Sequence, residues 1–303
     1  MKESIHDYCR IGIVHSMAFP MSQKSEELYI STLKQILYDD YFEVVEIGRI
    51  PFPSLETLVP SLIRSAHAEL TYSGHSLLFA AQANINSRDE QERKRAVRLL
   101  KEGIDEAYAF GALDFQFLSR SFDPERVEEH LDALVLSTVE LCKYAAEKGD
   151  MPVCHEIFDY DIDKKSLVGP APLAREYAMR VCEHVDNFGL MVDCSHIPML
   201  RESLDEALDP ISEFIVHAHM GNTLIGDPSH PSYGDTHPAF GYPGSENDTR
   251  YLTEYLVKLL DLGYLNTDTR PILSFEVKPQ GDEDSNIIVA NAKRTLRDAW
   301  RAV

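Results

Sequence analysis

Eight short apolar runs, separated by longer amphipathic stretches, constrain this chain more than any other feature of its sequence. The runs are Ile11–Val14, Phe42–Ile47, Ser76–Ala81, Ala112–Phe117, Met151–Ile157, Leu190–Asp193, Glu213–Ala218 and Pro271–Val277. They are rich in Val, Ile, Leu and Phe and too short for independent helices, so each reads as a buried strand. Between them, apolar residues recur at helical spacing. Helices are expected over Ser25–Tyr38, Ser54–Ala68, Arg88–Ala109, Pro124–Lys148, Ala171–Asn187, Leu200–Leu208, Asn247–Leu262 and Asp284–Ala302, with Gly263 as a C′ glycine. Eight strands alternating with eight helices predict an α/β fold, a closed parallel (β/α)8 TIM barrel forming one domain over residues 1–303. The alternative is an open doubly wound sheet. No GxGxxG follows the first strand and no P-loop pattern is present, so its nucleotide-binding forms lack support.

Charge narrows the function classes. Lys and Arg number 29 against 50 Asp and Glu, so the net charge is 29 − 50 = −21. Such a chain does not coat phosphate backbones and is not drawn to anionic membranes. No apolar run approaches the ~18 residues of a membrane span. The opening MKESIHDYCR has no apolar core of a signal peptide. The five cysteines (Cys9, Cys142, Cys154, Cys182, Cys194) are odd in number and never form CxxC, the pattern of reduced thiols. A cytoplasmic protein is expected, with a small-molecule substrate and no nucleic-acid or membrane partner.

In a TIM barrel the chemistry gathers where the strands end. The fifth strand is expected to end at Glu156, the sixth at Asp193, the seventh at His219 and the eighth at Glu276. Four consecutive strands thus deliver carboxylate, carboxylate, imidazole, carboxylate. Each follows an apolar run, where an unpaired charge is costly to bury. A shared divalent cation removes that cost. The donor set suits manganese first, with magnesium, cobalt or zinc as alternatives.

The order Glu156, Asp193, His219, Glu276, with Asp193-Cys194-Ser195-His196 after the sixth strand, resembles the sugar isomerase and epimerase superfamily of xylose-isomerase-like TIM barrels. The resemblance implies one divalent ion on those four residues, with Glu156 and Glu276 also carrying protons and His196 touching substrate. It implies proton removal next to a sugar carbonyl through an enediolate. His196 is the candidate second acid or base, since a free imidazole titrates near neutrality. The resemblance weakens after His219: ketohexose 3-epimerases place an Arg a few residues on, and Met220–Gly226 contains none. The long connection from Met220 to Asp248, read with SFEVKP, is similar to the catalytic subunits of C-glycoside deglycosidases. Those cleave a carbon–carbon bond in 3-keto C-glycosides beside a small β-rich subunit. A homo-oligomer is otherwise expected.

The remaining candidates line or approach the mouth. His15 ends the first strand, and Asp159 and Lys165 follow the fifth. His155 neighbours Glu156 and falls on the face toward the helices, the reading of a core residue. His217 lies one layer below His219, and Lys278 lies two past Glu276. Asp235 and His237 lie on the long connection. Phe19, Tyr233, Phe240 and Tyr242 are candidates for stacking on a ring. Two rivals share the fold: an endonuclease-IV-like DNA-repair barrel, opposed by the charge, and a non-catalytic sugar-binding barrel, opposed by the intact donor set.

Overall fold

The computed structural model describes residues 3–303. Eight strands form the barrel: β1 (Arg10–Val14), β2 (Val44–Gly48), β3 (Glu69–Ser73), β4 (Phe115–Leu118), β5 (Val153–Glu156), β6 (Phe188–Asp193), β7 (Ile215–Met220) and β8 (Ile272–Phe275). Each pairs in parallel with the next, and β1 pairs with β8 in the register Ile13↔Phe275, which closes the ring. Parallel pairing puts every C-terminal end at one mouth. Helices cover the outside, as parallel sheets require.

Local sequence sets the helix starts. Ser25, Asp89, Asp248 and Asp284 each accept backbone N–H groups of the first turn of the helices Glu26–Leu37, Glu90–Phe110, Thr249–Asp261 and Ser285–Ala302. Gly263 takes the left-handed conformation (φ +73°) just past its helix, as expected of a C′ glycine. Among the described residues, no helix is long and apolar enough to cross a membrane.

The third strand corrects the sequence reading. It is Glu69–Ser73, and the apolar run expected there opens a helix instead, His75–Ala80. Leu70 and Tyr72 lie on one face of β3 and Thr71 and Ser73 on the other, so its polar positions hide it among helical patterns. A short continuous apolar run fits a buried helical turn as readily as a strand. The helix expected over 200–208 is two short helices, His196–Leu200 and Leu204–Leu208. A 3-10 stretch, Asp209–Phe214, follows, so β7 starts and ends two residues later than expected.

Alternation along the strands sorts inside from outside. On β5, His155 packs edge-on against Phe117 and against Tyr177 of the helix Ala171–Cys182, so it faces the helices. Cys154 and Glu156 therefore face inward. On β7, His217 and His219 share the inward face. β1 contributes little bulk there: a Cβ on Gly12 would sit 2.1 Å from Ser274 Oγ.

Candidate active site

Strands β5 to β8 bring Glu156, Asp193, His219 and Glu276 together, each offering one ligand-type atom within 4.8 Å of all the others. Glu156, Asp193 and His219 are buried, whereas the Glu276 side chain keeps 16% of its exposure. Asp193 Oδ1 accepts the Ser195 N–H at 2.6 Å, while its Oδ2 has no partner. Glu156 Oε1 is likewise unpartnered. Glu276 Oε2 accepts from His219 Nδ1 at 2.9 Å. The other His219 nitrogen meets Glu46 of β2, 3.1 Å from both carboxylate oxygens.

The connection after β7, residues 221–248, supplies the next layer. Asp235 Oδ1 lies 2.7 Å from His237 Nε2 and 3.1 Å from His196 Nε2, and Asp235 Oδ2 pairs with Lys164 Nζ at 2.7 Å. His196 donates from Nδ1 to the Ile157 carbonyl at 2.7 Å, so both its nitrogens are engaged. His237 Nδ1 has no partner and faces Asp193 Oδ2 at 3.9 Å. The loop reaches this depth because His237 adopts φ +50° and Gly221 carries no side chain. A Cβ on Gly221 would stand 2.7 Å from His237 Nδ1 and 3.0 Å from both Asp193 oxygens.

Pegs hold this loop in place. Asn247 Nδ2 donates to the carbonyls of Cys194 and Gly221, both at 3.0 Å. Asn222 Nδ2 donates to the Ala239 carbonyl and to Ser245 Oγ, and Thr223 Oγ1 donates to the Gly234 carbonyl. The Lys278 N–H donates to the His237 carbonyl at 2.7 Å, tying the loop to the chain beyond β8.

Charges within the cluster separate its two glutamates. Burial pushes the Glu156 carboxyl upward, and the nearby Glu276 charge adds to that. Burial acts on Glu276 too, but the charge of His237 and the hydrogen bond from His219 outweigh it and pull Glu276 below its usual range. Burial alone would lower His196; Asp235, then Asp193 and Glu156, overcome it and hold the ring up at about 10. The carboxylates around His196 thus favour its charged form.

Several sequence candidates stand outside this constellation. His15 sits at the start of a short helix, with Nε2 on Thr32 Oγ1 at 2.9 Å and Tyr29 edge-on, so it packs on the helix Glu26–Leu37 and does not line the mouth. Asp159 is fully buried and accepts the N–H groups of Ile162, Asp163, Lys164 and Lys165, so its carboxylate folds a turn and does not reach for substrate. His155 is a packed core residue. Lys165 is exposed and Lys278 half-buried. Phe19 and Phe240 are buried in loop packing, and Tyr233 and Tyr242 are half-buried. His217 lies below His219, between Glu46 and Asp114.

Two residues near the site escaped the sequence reading. His75 approaches Glu156 Oε2 to 3.3 Å, and its other nitrogen bonds Ser73 Oγ at 2.8 Å; burial holds it down to about 4, so the ring is neutral. With the third strand placed too late, His75 stood before a strand and not at its end. Glu46 lay inside an apolar run, and a carboxylate there is itself a signal, since it must find buried partners.

The family model described as xylose isomerase-like TIM barrel matches residues 40–286. No curated protein matches the chain. Among solved structures, a D-tagatose 3-epimerase-like protein superposes with a TM-score of 0.71 at 17% identity, covering 97% of this chain and 99% of its own. The 3-keto-D-glucoside 4-epimerase YcjR from E. coli gives 0.68 at 14% identity, covering 95% and 98%. The IOLI protein, solved with a bound zinc atom, gives 0.71 at 16% identity, covering 96% and 97%. At these identities the likeness is one of fold, and the matched span of the family model settles the assignment: the chain belongs to the xylose isomerase-like TIM-barrel family.

Proposed function

We propose that the protein is a divalent-cation-dependent sugar isomerase or epimerase that works by removing a proton next to a carbonyl. The observation that carries this reading is the convergence of Glu156, Asp193, His219 and Glu276, three carboxylates and an imidazole, with two carboxylate oxygens left unpartnered in a buried site. Buried carboxylates without partners are costly, and an oxygen-rich set with one nitrogen fits a manganese, magnesium, cobalt or zinc ion. Glu156, Asp193, His219 and Glu276 would hold it. Once bound, such an ion acts as a Lewis acid on a carbonyl and acidifies the neighbouring C–H. The names of the structural neighbours, sugar epimerases among them, support a sugar substrate.

The chain's own groups supply the proton chemistry. Glu276 and Glu156 come from β8 and β5, with β6 and β7 between them, so they address the substrate from two sides. One takes the proton, giving an enediolate, and the other returns one to a different face or carbon. His237 and His219 stabilise the Glu276 carboxylate, while His196 and Asp235 fix the wall of the site beside Glu156. Similarity of the 220–248 stretch to deglycosidase catalytic subunits supports carbon–carbon cleavage as the second reading, in which the enediolate expels the aglycone β to the carbonyl, its departing carbon taking the proton that the second glutamate would otherwise return.

Incubation in D2O with a panel of ketoses and 3-keto-glucosides tests both readings. Wild type with manganese should place deuterium at one carbon α to the carbonyl, and exhaustive chelation should abolish the exchange. Exchange indifferent to chelation overturns the cation mechanism. Release of free aglycone from a 3-keto C-glycoside selects the lyase.

A further inference from the structure

Beneath the mouth, the barrel interior holds groups that a barrel does not need. Such interiors are normally filled by branched aliphatic side chains. Here β2 supplies Glu46, β4 supplies Gln116 and, just before it, Asp114, and β7 supplies His217, all buried. These strands are not neighbours, so their side chains meet across the barrel. Removing two carboxylates from water is unfavourable even when they are paired, and apolar replacements are often as stable. Filling space therefore does not explain the cluster.

Its hydrogen bonds all lead to His219. Asp114 Oδ2 accepts from His217 Nδ1 at 2.8 Å, and Glu46 Oε1 accepts from His217 Nε2 at 2.9 Å. Gln116 Nε2 donates to Glu46 Oε2 and to Asp114 Oδ1, both at 3.1 Å. Glu46 then presents both oxygens to His219 Nε2 at 3.1 Å. An ionised carboxylate only accepts, so His219 must carry a proton on Nε2. Its Nδ1, which here donates to Glu276 Oε2, faces Asp193 and Glu276 and is the nitrogen that would exchange its proton for a cation while Glu46 keeps the proton on Nε2.

We propose that Glu46, clamped by His217, Gln116 and Asp114, is the positioning residue that fixes the tautomer and ring plane of His219 and so sets the affinity of the site for its cation. This rests on the cation-dependent reading above. Partners of this kind behind a metal-binding imidazole are typically worth about 10–100-fold in metal affinity. An amide in place of Glu46 would offer an N–H to Nε2 and favour the opposite tautomer, with a proton on Nδ1 where the cation should be.

The test is calorimetric titration of Mn2+ into chelated wild type, Glu46→Gln and Asp114→Asn, with thermal melts of each. We expect one ion per wild-type chain, about 10–100-fold weaker binding in Glu46→Gln, and a smaller loss in Asp114→Asn, which leaves Glu46 in place. In zinc-loaded, 15N-labelled wild type, long-range 1H–15N spectra should show His219 protonated at Nε2 and liganded at Nδ1, and that pattern should be lost or shifted in Glu46→Gln. Should Glu46→Gln not fold, the Asp114→Asn affinity and His219 spectrum decide. Wild-type affinity with an unchanged His219 spectrum in the variants overturns the proposal while leaving the function standing. A wild type that takes up no cation overturns the function itself.

Discussion

The two halves of the barrel end differently. β1 to β4 finish at Val14, Gly48, Ser73 and Leu118, whereas Glu156, Asp193, His219 and Glu276 mark the ends of β5 to β8. The first half sends supporting groups, Glu46 to His219 and His75 to Glu156, while the second half supplies all four members of the carboxylate–imidazole set. Unpartnered buried atoms occur in both halves: Thr71 Oγ1 on β3, and Glu156 Oε1 and Asp193 Oδ2 on β5 and β6. A lone hydroxyl is a tolerable packing defect, whereas two buried carboxylate oxygens with no donor are costly, and the proposed cation would offset that cost. An orphaned atom acquires meaning from the charge it carries and the company it keeps.

Substitutions can break this contrast in order of their expected size. On the proposed mechanism, Glu156→Gln and Glu276→Gln should each lower kcat for the deuterium exchange by at least ~10³-fold, since each would lose both a ligand and a proton carrier. The melts should stay near wild type because glutamine keeps the shape of each side chain while removing a buried charge. Gly221→Ala should follow: its methyl would collide with His237 and Asp193, so kcat/KM should fall on the order of 10²-fold with a small shift in Tm. Full activity in that variant would mean that the loop histidine has no part in the site. Asp159→Asn should act on stability, losing on the order of 2–3 kcal/mol in urea unfolding as the charged acceptor of four backbone N–H groups is replaced. Thr71→Val should be nearly silent, within about 0.5 kcal/mol and with unchanged turnover, because it swaps an unpaired hydroxyl for a methyl of the same shape. A marked loss of activity there would move functional weight into the first half.

The same asymmetry governed how much the sequence disclosed. β5 to β8 announce themselves because each places an ionisable residue at or just past the end of an apolar run, and although β7 lies two residues later than its run, His219 still falls at its C-terminal end. Nothing comparable marks β3: ELTYS alternates politely between polar and apolar, while the neighbouring SLLFAA run looks more like a strand and is a helix. That slip concealed His75. Glu46 and Asp114 were visible as charges inside apolar runs, but their partners come from strands far apart in sequence, and only closure of the barrel brings them to His217. The environment of His196 was equally hidden, since Asp235 arrives from a loop about 40 residues away.

The pegging of that loop has an energetic meaning. Its two asparagines, the Thr223 hydroxyl and the left-handed turn at His237 order the segment through contacts within the chain itself. Closing a loop of this length carries an entropic penalty that grows with its residues. In this protein the penalty falls on the folding equilibrium, not on each encounter with substrate. If the proposed function holds, binding energy that a flapping lid would spend on its own ordering would stay available for holding the sugar.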